Sequence, residues 1–298
     1  MSNFISYIVD EVDDGEKIRN YLKYKCNLSS RFCRSAALNK NILVNGEIVK
    51  LSYILKSGDK IEINLKKEEN QDIEPEKMDL DVIYEDSDII IINKPPNLVV
   101  HPTKSHQSGT LANGVLYHFR ENGDSSIVRL VSRLDMNTSG LIIIAKNQFT
   151  HMALQRDMTE GKVDKIYRAI CHNKMENSEG TIDLPIYASE ESKPRRIIDE
   201  RGQRSITHYK VIEELNNATY IELKLETGRT HQIRVHAASI GHPLLGDPVY
   251  GPKNSKIKCT GQTLHARKLG FIHPTTKEYV EFNSELPQYF VEILGKLK

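Results

Sequence analysis

The four cysteines, Cys26, Cys33, Cys171 and Cys259, include no close pair, so neither a disulfide framework nor a zinc finger organises the fold. No apolar run approaches the roughly 18 residues that a membrane helix requires; the longest are Ile89 to Ile92 and Leu141 to Ala145. The first residues, Met1 to Asp14, collect acids where a targeting peptide would place bases. The seventeen glycines never stand two apart, which removes the dinucleotide fingerprint. None stand four apart around a serine, and no Gly-Lys-Ser/Thr occurs, so the nucleophile elbow and the phosphate loop are missing as well. The eleven histidines contain no i, i+4 pair, and His231 and His236, five apart, point to different helix faces. The expectation is a monomer of the reducing cytoplasm, away from membranes, whose chemistry needs no metal and no cofactor.

What is present is ordinary in total and uneven in distribution. The 298 residues are 39% hydrophobic and 27% charged, with 41 Lys and Arg against 40 Asp and Glu. That length suits a small and a large domain. Residues 20 to 60 carry eight bases (Lys23, Lys25, Arg31, Arg34, Lys40, Lys50, Lys56, Lys60) against Glu47 and Asp59. Within them Ile18, Tyr21 and Leu22 predict one short helix, and Ser29 and Ser30 cap a second that carries Arg31 and Arg34. Ile42 to Val49 reads as a hairpin on Asn45-Gly46. The charged stretch Lys66 to Asp81 lacks an apolar period and reads as a linker. The boundaries expected are therefore a small basic domain over 1–75, its acidic linker starting near 66, and a larger domain over 76–298.

In the larger part strands outnumber helices without alternating regularly. This predicts an α+β domain on a mixed, largely antiparallel sheet. Strands are expected at 82–84, 89–92, 141–145, 165–171, 206–214 and 218–226, with helices over 150–158 and from Thr230 to about Ile240. Leu264 to Ala266 and Phe271 to Pro274 read as a pair of core strands.

Two clusters hold the candidate chemistry. Arg133, Asp135, Asn137, Thr138 and Ser139 crowd a loop directly before a buried strand, where a scaffold holds a carboxylate rigidly. A plain Asx-type turn explains the same residues. Gly228-Arg229-Thr230-His231-Gln232-Ile233-Arg234 opens a helix whose first amides suit a phosphate. Thr230 and Arg234 would share a face of that helix, and an inward arginine can keep a buried carboxylate ionised. Tyr167 lies on a predicted strand, where a core aromatic is the commoner explanation.

Lys94-Pro95 to His101-Pro102, Arg133-Leu134-Asp135 with Thr138-Ser139-Gly140, Lys165-Ile166-Tyr167, Gly228 to Arg234, and Leu264-His265-Ala266 occur in an order that resembles the RluA/RluD family of RNA pseudouridine synthases. The resemblance runs from about residue 80 to 290. Residues 12 to 75 resemble the small RNA-binding domain first described in ribosomal protein S-four. Ser132 and Asn97 depart from the family pattern, which often has His and Gly there. The resemblance implies a cofactor-free isomerase of uridine in structured RNA. It implies that Asp135 is the catalytic aspartate, as nucleophile at the ribose or as base, that Tyr167 lies beside the uracil, and that Arg234 pairs with Asp135. Arg133, Arg229, Thr230 and His231 would contact RNA, together with Lys23, Lys25, Arg31, Arg34 and Lys40 of the basic unit.

Large-subunit ribosomal RNA is the favoured substrate and transfer RNA the alternative. A non-catalytic ribosome-assembly factor would be favoured by loss of Asp135, Tyr167 or Arg234, and all three are present. A carboxylate-based hydrolase needs a second carboxylate near Asp135, and neither dense cluster supplies one.

Overall fold

The computed structural model describes residues 4–64, 71–189, 195–254, 259 and 261–298. The chain divides into a unit up to residue 69, to which 147–149 also group, and a larger unit formed by the rest. In the first unit β1 (Phe4–Ile8), α1 (Ile18–Tyr24), α2 (Ser30–Leu38), β2 (Ile42–Val44), β3 (Glu47–Ile48) and β4 (Lys60–Asn64) follow in chain order. The strands form one antiparallel sheet in the order β1-β4-β2-β3. Ile18 and Leu22 of α1, with Leu55, Ile61 and Ile63, have no solvent exposure. Ser29 Oγ accepts the Phe32 N–H at 3.1 Å and starts α2. That helix buries Phe32, Cys33 and Ala36 and leaves Arg31 and Arg34 in solvent. Asn45 and Gly46, at φ 52° and 86°, make the left-handed turn that a two-residue hairpin requires.

The larger unit holds β5 (Val82–Glu85), β6 (Ile89–Lys94), α3 (Leu111–Glu121), β7 (Arg129–Leu130), β8 (Ser139–Ala145), α4 (Gln148–Thr159), β9 (Asp164–His172) and β10 (Glu179–Asp183). Then come β11 (Ile186–Tyr187), β12 (Ile197–Ile198), β13 (Ile206–Leu215), β14 (Ala218–Leu225), α5 (Gln232–Ser239), β15 (Leu264–Ile272), β16 (Tyr279–Asn283) and α6 (Gln288–Leu297). The main sheet runs β10-β13-β14-β9-β15-β8-β6-β5, with β16 added on β15 and β7 on β8. All its pairings are antiparallel except β8 with β15, which is parallel and holds only Ser139 opposite His265 and Gly140 opposite Ala266. The fold is the expected α+β with a mixed, largely antiparallel sheet.

Burial on both faces explains the unbroken isoleucines of β6. Ile90 and Ile92 pack with Ile142, Ile144 and the α3 residues Leu111, Val115 and Phe119. Ile89 and Ile91 pack the other way, with Ile143, Leu154 and Phe271. At the parallel junction the register aligns Leu223, Tyr167, Ala266, Gly140 and Lys94 across five strands. Gly140 takes φ +105°, and any Cβ there would run into the Ala266 backbone, so only glycine lets β8 and β15 meet.

Three expectations are corrected here. Residues 71–81 are no free linker. Ile73 is buried in the α3 cluster, Gln71 exchanges two 3.0 Å hydrogen bonds with the Val128 backbone, and Asn113 donates to the Glu74 carbonyl. A single isoleucine and two side-chain clasps leave no periodic signature. The rest of the expected linker, 66–70, lies outside the described residues. Leu264 to Ile272 is one long strand, irregular near Arg267, paired with β9, β8 and β16 rather than folded back on itself. Helix α5 starts at Gln232, so Thr230 precedes the helix and shares no helical face with Arg234.

Candidate active site

The Asp135 loop is clamped from the side. Lys94, fully buried at the end of β6, donates from Nζ to the carbonyls of Pro95, Leu98 and Met136 at 2.8–3.0 Å. The Met136 carbonyl also accepts the Leu98 N–H. Burial pushes the Lys94 amine down to about 7, with Asp135 pulling it partly back. Three carbonyl acceptors nevertheless require three N–H groups, and so the ammonium form. Asn97 takes φ 61°, the left-handed turn that glycine would otherwise supply. Below the loop, Gln262 Nε2 donates to Thr138 Oγ1 at 3.1 Å.

The second cluster folds around its own glutamine. Gln232 Oε1 accepts the Arg229 N–H at 3.0 Å and the Thr227 hydroxyl at 2.8 Å, while its Nε2 donates to the Ile206 carbonyl and Thr207 Oγ1. The turn before α5 is thereby braced from within, with the Arg229 amide tied to the Gln232 side chain. It delivers Arg234, 99 residues on, to Asp135: Arg234 donates from one terminal nitrogen to Asp135 Oδ2 at 2.7 Å. Its remaining edge grips Asp247 in a bidentate pair at 2.7 and 2.8 Å.

Asp247 is the residue that sequence reading missed. Its side chain has no solvent exposure. It lies in the turn-rich stretch Gly241 to Gly251, where an aspartate reads as a turn former. It does fill that role, accepting the Val249 and Tyr250 N–H groups on Oδ1. Burial opposes its ionisation, but the Arg234 hydrogen bonds and charge prevail and hold its pKa below the ordinary carboxylate range. Burial likewise opposes the Arg234 charge, and Asp247 followed by Asp135 carries its pKa above the usual value. This second carboxylate near Asp135 is ionised and fully engaged. It cannot serve as the general acid that a glycoside hydrolase needs.

Asp135 itself is a quarter exposed, and its Oδ1 has no hydrogen-bond partner among the described residues. It opens on a small surface cleft. Tyr167, Arg133, Arg229, His231 and Arg234 line the same cleft. Burial raises the Tyr167 hydroxyl to about 12, so the ring is neutral. Arg133 and Arg229 are exposed at the cleft. Lys165, two residues before Tyr167, is buried, and burial with the neighbouring Arg229 lowers its amine to about 8. Lys23, Lys25, Arg31, Arg34 and Lys40 are all exposed on the N-terminal unit, with Lys25 paired to Asp13 at 3.1 Å.

Among the described residues one trio, Asp86, Asp88 and His273, brings possible metal-ligand atoms within 4.8 Å. His273 Nδ1 accepts the Thr275 and Thr276 N–H groups, which fixes the ring proton on Nε2, 3.1 Å from Asp86 Oδ2. The His273 ring then has no lone pair left for a cation.

A family model described as RNA pseudouridylate synthase matches residues 88–239, from β6 through α5. The uncharacterized RNA pseudouridine synthase YlyB of Bacillus subtilis (strain 168) is 39% identical over 300 residues, covering 99% of both chains. The chain belongs to the RNA pseudouridine synthase family, in its RluA/RluD group. Ribosomal large subunit pseudouridine synthase D of Haemophilus influenzae is 40% identical over 253 residues, 81% of this chain and 78% of its own. The solved human RNA pseudouridylate synthase domain containing 1 superposes with a TM-score of 0.59 at 29% identity, over 70% of this chain and 83% of its own. The synthase is thus an isomerase acting on RNA.

Proposed function

We propose that this synthase isomerises a specific uridine of large-subunit ribosomal RNA in the cytoplasm, with Asp135 as the carboxylate acting on the nucleoside. The observation that carries the assignment is the Asp135–Arg234–Asp247 chain: a buried guanidinium fixes one oxygen of Asp135 and leaves the other free over a cleft lined by Tyr167, Arg133 and Arg229. A stacked or paired uridine must be flipped out to reach it, at a cost of a few kcal/mol. Stacking on Tyr167 offsets part of this, since a base–aromatic stack is worth about 1–3 kcal/mol. Arg133 and Arg229 meet the flanking phosphates. The choice of ribosomal RNA is supported by relatives named ribosomal large subunit pseudouridine synthase D. Comparing pseudouridines across ribosomal and transfer RNA in a strain lacking the gene and in its parent tests it. Loss of one or a few sites in large-subunit RNA is the expected result, and losses confined to transfer RNA would overturn it.

We assign the N-terminal unit as the RNA anchor, of the ribosomal-protein S-four type. Its exposed bases should meet phosphates, and counterion release then makes affinity fall steeply with salt. Replacing both Arg31 and Arg34 by Glu in the full chain should weaken RNA binding and make the log–log salt slope shallower by about one to two units. Turnover at saturating RNA should persist, because these contacts position the substrate without touching the transition state. Superimposable binding curves across salt would show that α2 is not the anchor.

A further inference from the structure

His231 is the residue before α5, and its backbone is left-handed, with φ 59° and ψ 16°. That conformation costs a non-glycine residue about 1–2 kcal/mol. The imidazole lines the cleft with Nε2 3.8 Å from Asp135 Oδ2, beyond hydrogen-bond range. Its other nitrogen, Nδ1, lies 3.0 Å from the Tyr250 hydroxyl. That hydroxyl oxygen already accepts the Arg196 backbone N–H at 2.7 Å. Tyr250 is buried, so its own O–H proton needs an acceptor, and among the described residues Nδ1 is the one within reach.

The Tyr250 proton therefore goes to Nδ1, and the imidazole keeps its hydrogen on Nε2. Burial, only partly opposed by Asp135, lowers the ring's affinity for a second proton, so it is neutral. The cleft thus contains a fixed, uncharged N–H donor beside the aspartate. A lysine in this position would pair with Asp135 and quench it; a neutral imidazole leaves the carboxylate free.

An uncharged, prepositioned donor suits an oxygen that gains charge only during the reaction. When the N1–C1′ bond breaks, its electron pair stays with the base, giving a uracilate anion with charge spread over N1, O2 and O4. We propose that His231 is a further catalytic residue, donating Nε2–H to a carbonyl oxygen of the detached uracilate. This rests on the reaction proposed above. No proton is transferred in the contact. An electron pair of the same anion then forms the C5–C1′ bond, C5 loses its proton and N1 gains one, so the product is an isomer. Arg234, committed to two carboxylates, is not available for that oxygen.

The test compares His231→Ala with His231→Gln in the full-length protein, on RNA carrying the target uridine. Both variants carry an ordinary L-residue in the left-handed position, so both meet the same backbone cost. Single-turnover rates at saturating RNA should fall about 100-fold in His231→Ala, as on removal of one oxyanion donor. RNA affinity should stay near the parent's, while the melting temperature falls by a few degrees, because the buried Tyr250 hydroxyl loses its acceptor. His231→Gln, whose amide returns an N–H, should recover about tenfold of that loss. Equal rates for the two variants, or a rate loss that tracks melting temperature, would overturn the donor. A parent-like rate for His231→Ala would overturn it alone, whereas absence of turnover by the parent would overturn the underlying reaction with it.

Discussion

Asp135→Asn should stop isomerisation while leaving melting temperature and most RNA affinity unchanged. The expected loss is on the order of 10⁴-fold or more, the scale set by removing a directly reacting side chain. The geometry makes this substitution decisive. Arg234 offers only N–H donors to the position of Oδ2, so an asparagine must turn its carbonyl oxygen that way. The amide nitrogen then takes the place of Oδ1, the oxygen left free over the cleft. An amide nitrogen has no lone pair to attack a ribose or to accept a proton. Single-turnover assays of purified variant on target RNA, beside binding measurements, check the outcome. Conversion within tenfold of the parent would show that the reaction runs through another group.

Arg234→Ala should remove activity and stability together. Deleting the guanidinium leaves Asp247 fully buried with no countercharge and releases Asp135. Breaking such a buried pair costs about 3–5 kcal/mol, which for a unit of this size lowers the melting temperature by roughly 10 °C. Arg234→Lys should restore part of the stability and little activity, because one ammonium cannot hold two carboxylates in a planar fork. Adding Asp247→Asn to Arg234→Ala separates the two effects. The double variant no longer buries an orphan charge, so melting should recover while isomerisation stays lost. A single Arg234→Ala variant that melts like the parent would mean that the pair contributes nothing to stability.

Local chemistry made much of the fold legible. The Ser29 cap, the Asn45-Gly46 turn and the paired isoleucine runs each announce themselves within a few residues. What local chemistry could not reveal is long-range pairing. Asp135 and Arg234 stood out as dense polar clusters, yet their union rested on family resemblance, because 99 residues separate them. Asp247 stayed hidden because a turn aspartate and a buried counter-ion look the same in sequence, and here one residue does both. Lys94 sat in view after four isoleucines, but nothing nearby tells that its ammonium would tie three carbonyls. Helix α5 begins two residues later than the sequence predicts because His231 adopts a backbone conformation that few non-glycine residues take.

The parallel contact of β8 with β15 has a consequence for when activity arises. Among the described residues it is the only strand pairing that joins the antiparallel group β5-β6-β8 to the group β9-β10-β13-β14-β15-β16. Asp135 belongs to the first group's side of that junction, and Tyr167, Arg234 and Asp247 come from later in the chain. Such a distant contact carries a larger loop-closure cost than the hairpins within the sheet. A nascent chain that has finished only the first group owns an aspartate without its arginine and a cleft with one wall. Reactivity is therefore a property of the finished chain and cannot accumulate along the way.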